Sequence, residues 1–213
     1  MAEIVSIRWS RQGEPPEPEQ IARAASAIRR GEVIAIPTDT LYVLVADPFN
    51  LSAVSRVYRA KSRPQDRSLP MFVASVDQAA EMAEDLPSSF YLLARRFWPG
   101  PLSMIVRASG RVPLKATGGT RRLSVRQPAS PIAQALLEAI GTPLIATSAN
   151  ISGQSTCRSA DETMLALGDS VSLIFEAESP EAGPQAGSVR VPSSLIIDAP
   201  TSAAIPIPAP QLA

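Results

Sequence analysis

The feature that most constrains the fold is a series of short apolar runs, each cut off well before it could form a long buried helix. EVIAIP (32–37), SLPMFVA (68–74), LSMIVRA (102–108), RLSVR (122–126), TPLIATS (142–148), VSLIFEA (171–177) and SSLIID (193–198) have the length and side-chain character of strands. Between most of them lie stretches with apolar residues at helical spacing. Residues 18–30 carry Ile21, Ala24, Ala25 and Ile28 and stop at Gly31; residues 51–60 carry Leu51, Val54, Val57 and Tyr58. Further helices are predicted over 77–85, 88–97, 130–140 and 159–167. Ser130 is placed to cap the fifth, with proline at its first helical position. Strands alternate with helices, though not strictly. The expected fold is α/β: a single domain over 1–198, with helices packed on one twisted mixed β-sheet. The segment 199–213, APTSAAIPIPAPQLA, has no amphipathic period and reads as an irregular Pro/Ala-rich tail.

Composition narrows the chemistry. With 213 residues, 45% hydrophobic and 19% charged, the chain can bury a sizeable core without staples. No apolar run approaches the roughly 20 residues that span a bilayer. Charges in MAEIVSIRWSRQ and the lone Cys157 lead to the expectation of a cytoplasmic protein with no membrane partner. There is no histidine. Ser-His-Asp and Cys-His catalysis are excluded, as are His-containing zinc sites, and one cysteine excludes Cys-rich ones. No resident metal is expected. Magnesium would enter only with phosphates. What remains is chemistry by carboxylates, hydroxyls, amides and cations.

Lys+Arg and Asp+Glu balance at 20 each, so no global basic field points to nucleic acid. The cations are nonetheless grouped: Arg56, Arg59, Lys61, Arg63 and Arg67 in one cluster, Arg107, Arg111, Lys115, Arg121, Arg122 and Arg126 in another. Acid gathers at 14–19, 81–85 and 176–181. Solvated surface is the ordinary reading of such runs.

Four motifs fall at strand or helix ends, where α/β proteins place ligands. They are PTDTLY (37–42), KSRP (61–64), SVRQP (124–128) and TSANISG (147–153). Lys61 and Arg63 have a plain explanation, since cations in a last helical turn favour the helix dipole. Yet a compact ammonium and a bidentate fork beside a rigid Pro turn also suit a triphosphate. Thr147, Ser148 and Asn150 either cap the next segment or present uncharged donors to a nucleotide. Neither a Walker A pattern nor a strand-linked G-x-G-x-x-G occurs. The residues alone lead as far as an α/β protein with a phosphate ligand.

PTDTLYVL, KSRPQDRSLPMFV, FWPGPLSMIV, LSVRQPASPI and PLIATSANISG, taken together and in this order, resemble the YrdC family over roughly residues 19–198. The stretch SANISGQSTCRSADE is similar to its short, single-domain bacterial branch. That family's enzymes are L-threonylcarbamoyladenylate synthases. The resemblance implies a nucleotidyltransferase that joins L-threonine, bicarbonate or CO2, and ATP into threonylcarbamoyl-AMP, releasing diphosphate, for t6A modification of tRNA. Downstream t6A transferase proteins would be partners, and ATP would come as a substrate with Mg2+. By the same resemblance Lys61 and Arg63 hold the reacting phosphates, helped at ATP by Arg67, Ser148, Asn150 and Thr156. Thr40, Tyr42, Arg126 and Ser194 are implied at L-threonine.

The sequence also departs from the family pattern. Val43 stands where the family usually has glycine, and valine takes positive φ only at a cost, so a different loop is expected there. Phe72 replaces a frequent histidine, Arg67 and Arg122 replace neutral polar residues, and the late arginine of longer members has no counterpart. Two other readings stand beside the synthase. One is a diverged relative that binds double-stranded RNA, tRNA or a nucleotide on its basic face without making the adenylate. The other is a carbamoyl-transfer module, disfavoured by the short chain.

Overall fold

The computed structural model describes residues 1–8, 15–178 and 196–198. The elements run β1 (Glu3–Arg8), α1 (Pro18–Arg29), β2 (Ile34–Ile36), β3 (Val43–Ala46), α2 (Leu51–Ala60), β4 (Met71–Phe72), α3 (Val76–Met82) and α4 (Ser88–Phe97). They continue with β5 (Ser103–Arg107), β6 (Arg122–Arg126), α5 (Pro131–Ile140), β7 (Leu144–Ser148), α6 (Ala160–Leu167), β8 (Leu173–Glu178) and β9 (Ile196–Asp198). Among the described residues the strands form one sheet in the order β1-β8-β2-β3-β7-β4-β6-β5-β9. It is mixed: β1, β8 and β2 are parallel neighbours, as are β4 with β6 and β5 with β9, and the other neighbours are antiparallel.

Helices cover both faces. Side chains alternate along each strand, so Leu44 and Ile145 point into a core with Val54, Val57, Phe90 and Leu167, while Val43, Val45 and Leu144 point into one with Ile21, Ile28, Ile132 and Leu136. Helices α2, α3, α4 and α6 therefore lie on one face, α1 and α5 on the other. Each fully buried Leu, Ile or Val contributes about 1.5–3 kcal/mol.

The expected architecture is present, with four local differences. Strands β1 and β3 were not among the expected ones; β1 adds to β8 at the sheet edge, and β3 is a four-residue strand buried along its whole length. The strand expected over 68–74 keeps only Met71–Phe72, because Pro70 has no N–H and the Leu69 N–H bonds to Ala116 O instead (2.8 Å). The helix expected to reach residue 85 stops at Met82, since Ala83 and Glu84 pair with Ala108 and Arg107. Of the strand expected over 193–198, only 196–198 are described. Residue 194 and the tail 199–213 lie outside the described residues.

Val43 needs no special backbone. Among the described residues only Ser62 and Arg121 take positive φ without being glycine. Val43 is an ordinary strand residue, opposite Ile36 on one side and Ser148 on the other.

Candidate functional site

Helix α2 starts on Asn50, whose side chain accepts from the Ser52 and Ala53 N–H groups at 3.0 and 3.1 Å. Lys61 caps its other end and turns beneath the loop that follows β7. Lys61 is 2% exposed, and its ammonium is enclosed by oxygens. It donates to Ser148 O, to Asn150 O (2.9 Å) and to Asn150 Oδ1 (3.1 Å). The Ser148 hydroxyl donates to the same Asn150 oxygen at 2.6 Å, and Ser152 N–H returns to Lys61 O at 2.7 Å. Two of the sequence motifs, KSRP and TSANISG, are thus tied into one unit.

This unit encloses a cavity of about 450 Å³ lined by Lys61, Arg63, Arg67, Ser148, Asn150 and Ser152. Arg63 is anchored by one bond, Nη2 to Ser68 O at 2.8 Å. Its Nε and the Ser152 hydroxyl are buried with no partner. Among the described residues none of the three cations pairs with a carboxylate. Burial, with the nearby Arg63 charge, pulls the Lys61 ammonium down to about 8. Burial first, and Arg67 as well, lower Arg63, which still stays charged because a guanidinium titrates far above neutrality. Positive charge with no carboxylate partner, buried at Lys61, half-buried at Arg63 and exposed at Arg67, beside two unpartnered buried donors, is an arrangement that an anion stabilises.

The floor of this cleft is held from outside. Tyr58 Oη donates between Arg67 O (2.8 Å) and Lys115 O (3.0 Å). Gly118, at φ +59°, lies so close to the 61–68 loop that a Cβ would come within 2.6 Å of the Asp66 backbone.

A second group forms over the face covered by α1 and α5. The hairpin loop between β2 and β3 is closed by Thr38, whose Oγ1 accepts from the Thr40 and Leu41 N–H groups (both 3.2 Å) and donates to Leu41 O (2.7 Å). Having spent its proton there, Thr38 can only accept from the Thr40 hydroxyl at 3.1 Å. Arg126, at the end of β6 and 4% exposed, spreads its fork across this loop. Nη1 donates to Thr40 Oγ1 (3.0 Å), Nη2 to Asp39 Oδ2 (2.5 Å), and Nε to Gly100 O (2.8 Å). A side chain at Gly100 would meet Phe97 O at 2.4 Å, so the close turn that offers this carbonyl requires glycine. The guanidinium also lies 5.5 Å from the centre of the Phe72 ring. Burial lowers the Arg126 guanidinium and Asp39 opposes that. The loops carrying Thr40 and Ser148 leave the same end of the sheet, since Val43 stands opposite Ser148.

Lys61, Arg63, Arg67, Ser148 and Asn150 therefore come together, as do Thr40 and Arg126. Thr156 lines a separate cavity of about 580 Å³ with Ser155, Cys157, Arg158 and Glu162. Tyr42 joins the core on the α2 face, whereas Arg126 lies over Phe72 on the other. Burial raises the Tyr42 phenol well above its ordinary range. Sequence reasoning missed Ser152 and Asp39. Ser152 follows S-x-N by two residues and had no charge to mark it; Asp39 lay inside the quoted PTDT motif and was passed over for its threonines.

Fold and cleft define an α/β protein with a cationic cleft built from loops at the sheet end. Residues 26–196 match the Sua5/YciO/YrdC family, described as telomere recombination, and the chain belongs to that family. A curated relative from Pyrococcus abyssi, named threonylcarbamoyl-AMP synthase, is 41% identical over 160 residues, which are 75% of this chain and 46% of that protein. One of the same name from Halorhodospira halophila is 35% identical over 75% of this chain and 85% of its own length. The crystal structure of P. abyssi Sua5 complexed with L-threonine matches with a TM-score of 0.77 at 37% identity, over 83% of this chain and 50% of that one. The chain thus spans about half the length of the Pyrococcus relative.

Proposed function

We propose that the chain is a threonylcarbamoyl-AMP synthase, a nucleotidyltransferase that uses ATP, L-threonine and bicarbonate or CO2. In this reading the threonine amine attacks the carbon of CO2 and loses a proton. An oxygen of the resulting carbamate attacks the α-phosphorus, and the bond to the β-phosphate oxygen breaks to release diphosphate. The observation that carries the reading is the cleft of Lys61, Arg63, Arg67, Ser148, Asn150 and Ser152, with its unpaired cations and open donors, beside the Arg126–Thr40 group.

Arg63 and Arg67 would grip the triphosphate from one wall, with Ser152 donating from the other and Ser148, whose proton goes to Asn150, bracing that wall. Lys61, already tied to oxygens of Ser148 and Asn150, would hold the wall together and supply positive charge from beneath it. No large conformational change is required for charge stabilisation of the leaving diphosphate, because the donors are already ordered. Magnesium arriving with the triphosphate belongs to the substrate. Arg126 would take the threonine carboxylate, with Thr40 in contact with the substrate beside it, and so bring the amine near the α-phosphate. Thr156 and Ser194 remain proposals at ATP and at threonine. Transfer of the product onto tRNA by a further protein would complete the role in t6A formation.

Binding of a non-hydrolysable ATP analogue tests the cleft. Arg63→Ala removes a half-buried charged donor worth about 1.5–3 kcal/mol, so affinity should fall roughly 10- to 100-fold. Wild-type affinity in a variant with unchanged melting temperature would place the nucleotide elsewhere.

A further inference from the structure

The Asp39 carboxylate has one oxygen committed and one open. Oδ2 receives Arg126 Nη2 at 2.5 Å; Oδ1 is buried and has no partner. Buried carboxylate oxygens are rarely left so, because the lost hydration is not recovered. Asp39 cannot turn the open oxygen away without giving up Arg126, whose fork is fixed by Gly100 O and Thr40 Oγ1 as well. The orphan oxygen is therefore an acceptor held in place on the guanidinium fork that also bonds Thr40.

We propose that Asp39 is a specificity-determining residue that accepts a hydrogen bond from the amino nitrogen of the amino-acid substrate. The inference rests on the reading of this site as the threonine site. A carboxylate-binding arginine alone would take any small 2- or 3-hydroxy acid. An acceptor set next to it selects, among these, a molecule that carries an N–H donor beside its carboxylate. The same contact orients the nitrogen that must form the new N–C bond. Such selection is strong, because a ligand lacking the donor leaves the buried acceptor unpaired.

The two ligands that separate the possibilities are L-threonine and (R)-3-hydroxybutanoate, which has the same carboxylate and hydroxyl and lacks the amine. Both are titrated calorimetrically into wild-type protein and into Asp39→Asn and Asp39→Ala, in the presence of an ATP analogue. Wild type should prefer L-threonine by about 100-fold or more. Asp39→Asn, which keeps an acceptor for Arg126 and replaces the open oxygen with a donor, should lose most of that preference by weakening L-threonine alone. Equal weakening of both ligands in both variants would mean that Asp39 only steadies Arg126, and would overturn the proposal. Binding of neither ligand to wild-type protein would overturn the threonine-site reading itself. A wild-type preference retained in Asp39→Asn would place the amine elsewhere.

Discussion

At the scale of single residues, Lys61 decides most. The residue is nearly fully buried and its ammonium has four oxygen partners on Ser148 and Asn150, yet burial and the Arg63 charge hold it near 8. A lysine lowered in this way is mainly charged at pH 7 and mainly neutral at pH 9. Its help to an anion is therefore present below 8 and lost as pH rises through it. Affinity for an ATP analogue should fall up to about tenfold between pH 7 and pH 9. A Lys61→Arg variant, charged throughout, should show no such fall. A flat wild-type profile would mean that the charge of Lys61 is not felt by the nucleotide. For stability the sign is opposite: the unfolded chain binds the extra proton between about 8 and the ordinary lysine value, so this group makes the fold more stable as pH rises through that window.

Lys61 and Arg63 were legible in the sequence because cations beside a Pro turn carry a chemical meaning at any distance from the rest. Asp39 and Ser152 were not. Their significance lies in an oxygen left without a partner, which only the folded arrangement reveals. The concern over Val43 dissolves for the same reason. A glycine elsewhere in the family suggested positive φ, but here the residue continues a ladder between Ile36 and Ser148 and buries its side chain in the core on the α1 and α5 face.

At the scale of elements, the site depends on packing between loops far apart in sequence. The 61–68 loop rests on the 113–119 turn through Leu69 N–H to Ala116 O, the Tyr58 hydroxyl and the close approach of Gly118. Gly118→Ala would add both a disfavoured positive φ and a Cβ within 2.6–2.8 Å of the Asp66 and Arg67 backbone. The expected result is a loss of about 1–3 kcal/mol in urea unfolding, together with weaker ATP-analogue binding and little change at L-threonine. Equal losses for both ligands would argue against a brace specific to the phosphate loop. Helix positions were read well because caps and 3.6 spacing are local signals: α2 and α5 begin where Asn50 and Ser130 place them. The two missed strands lacked such punctuation. VLVA is apolar on both faces and too short to show a period, and EIVSIR gains its place only by pairing with β8, far along the chain.

At the scale of the whole molecule, one mixed sheet carries helices on both faces and gathers its polar loops where β3 and β7 meet. Lys61 ends α2, which packs on one face, and Arg126 stands over Phe72 on the other. In the synthase reading proposed above, Thr40 and Ser148, on loops that leave the same end of the sheet, would bring the reactants together there. The sequence pattern revealed the layers but not this division, because which face a strand residue meets depends on the pairing of β3 with β7. The direct test of the synthase reading is diphosphate release from ATP measured with each co-substrate omitted in turn. Release should require L-threonine and bicarbonate together and fall to background when either is left out. Release that proceeds equally without L-threonine, or no release with all three present, would contradict it.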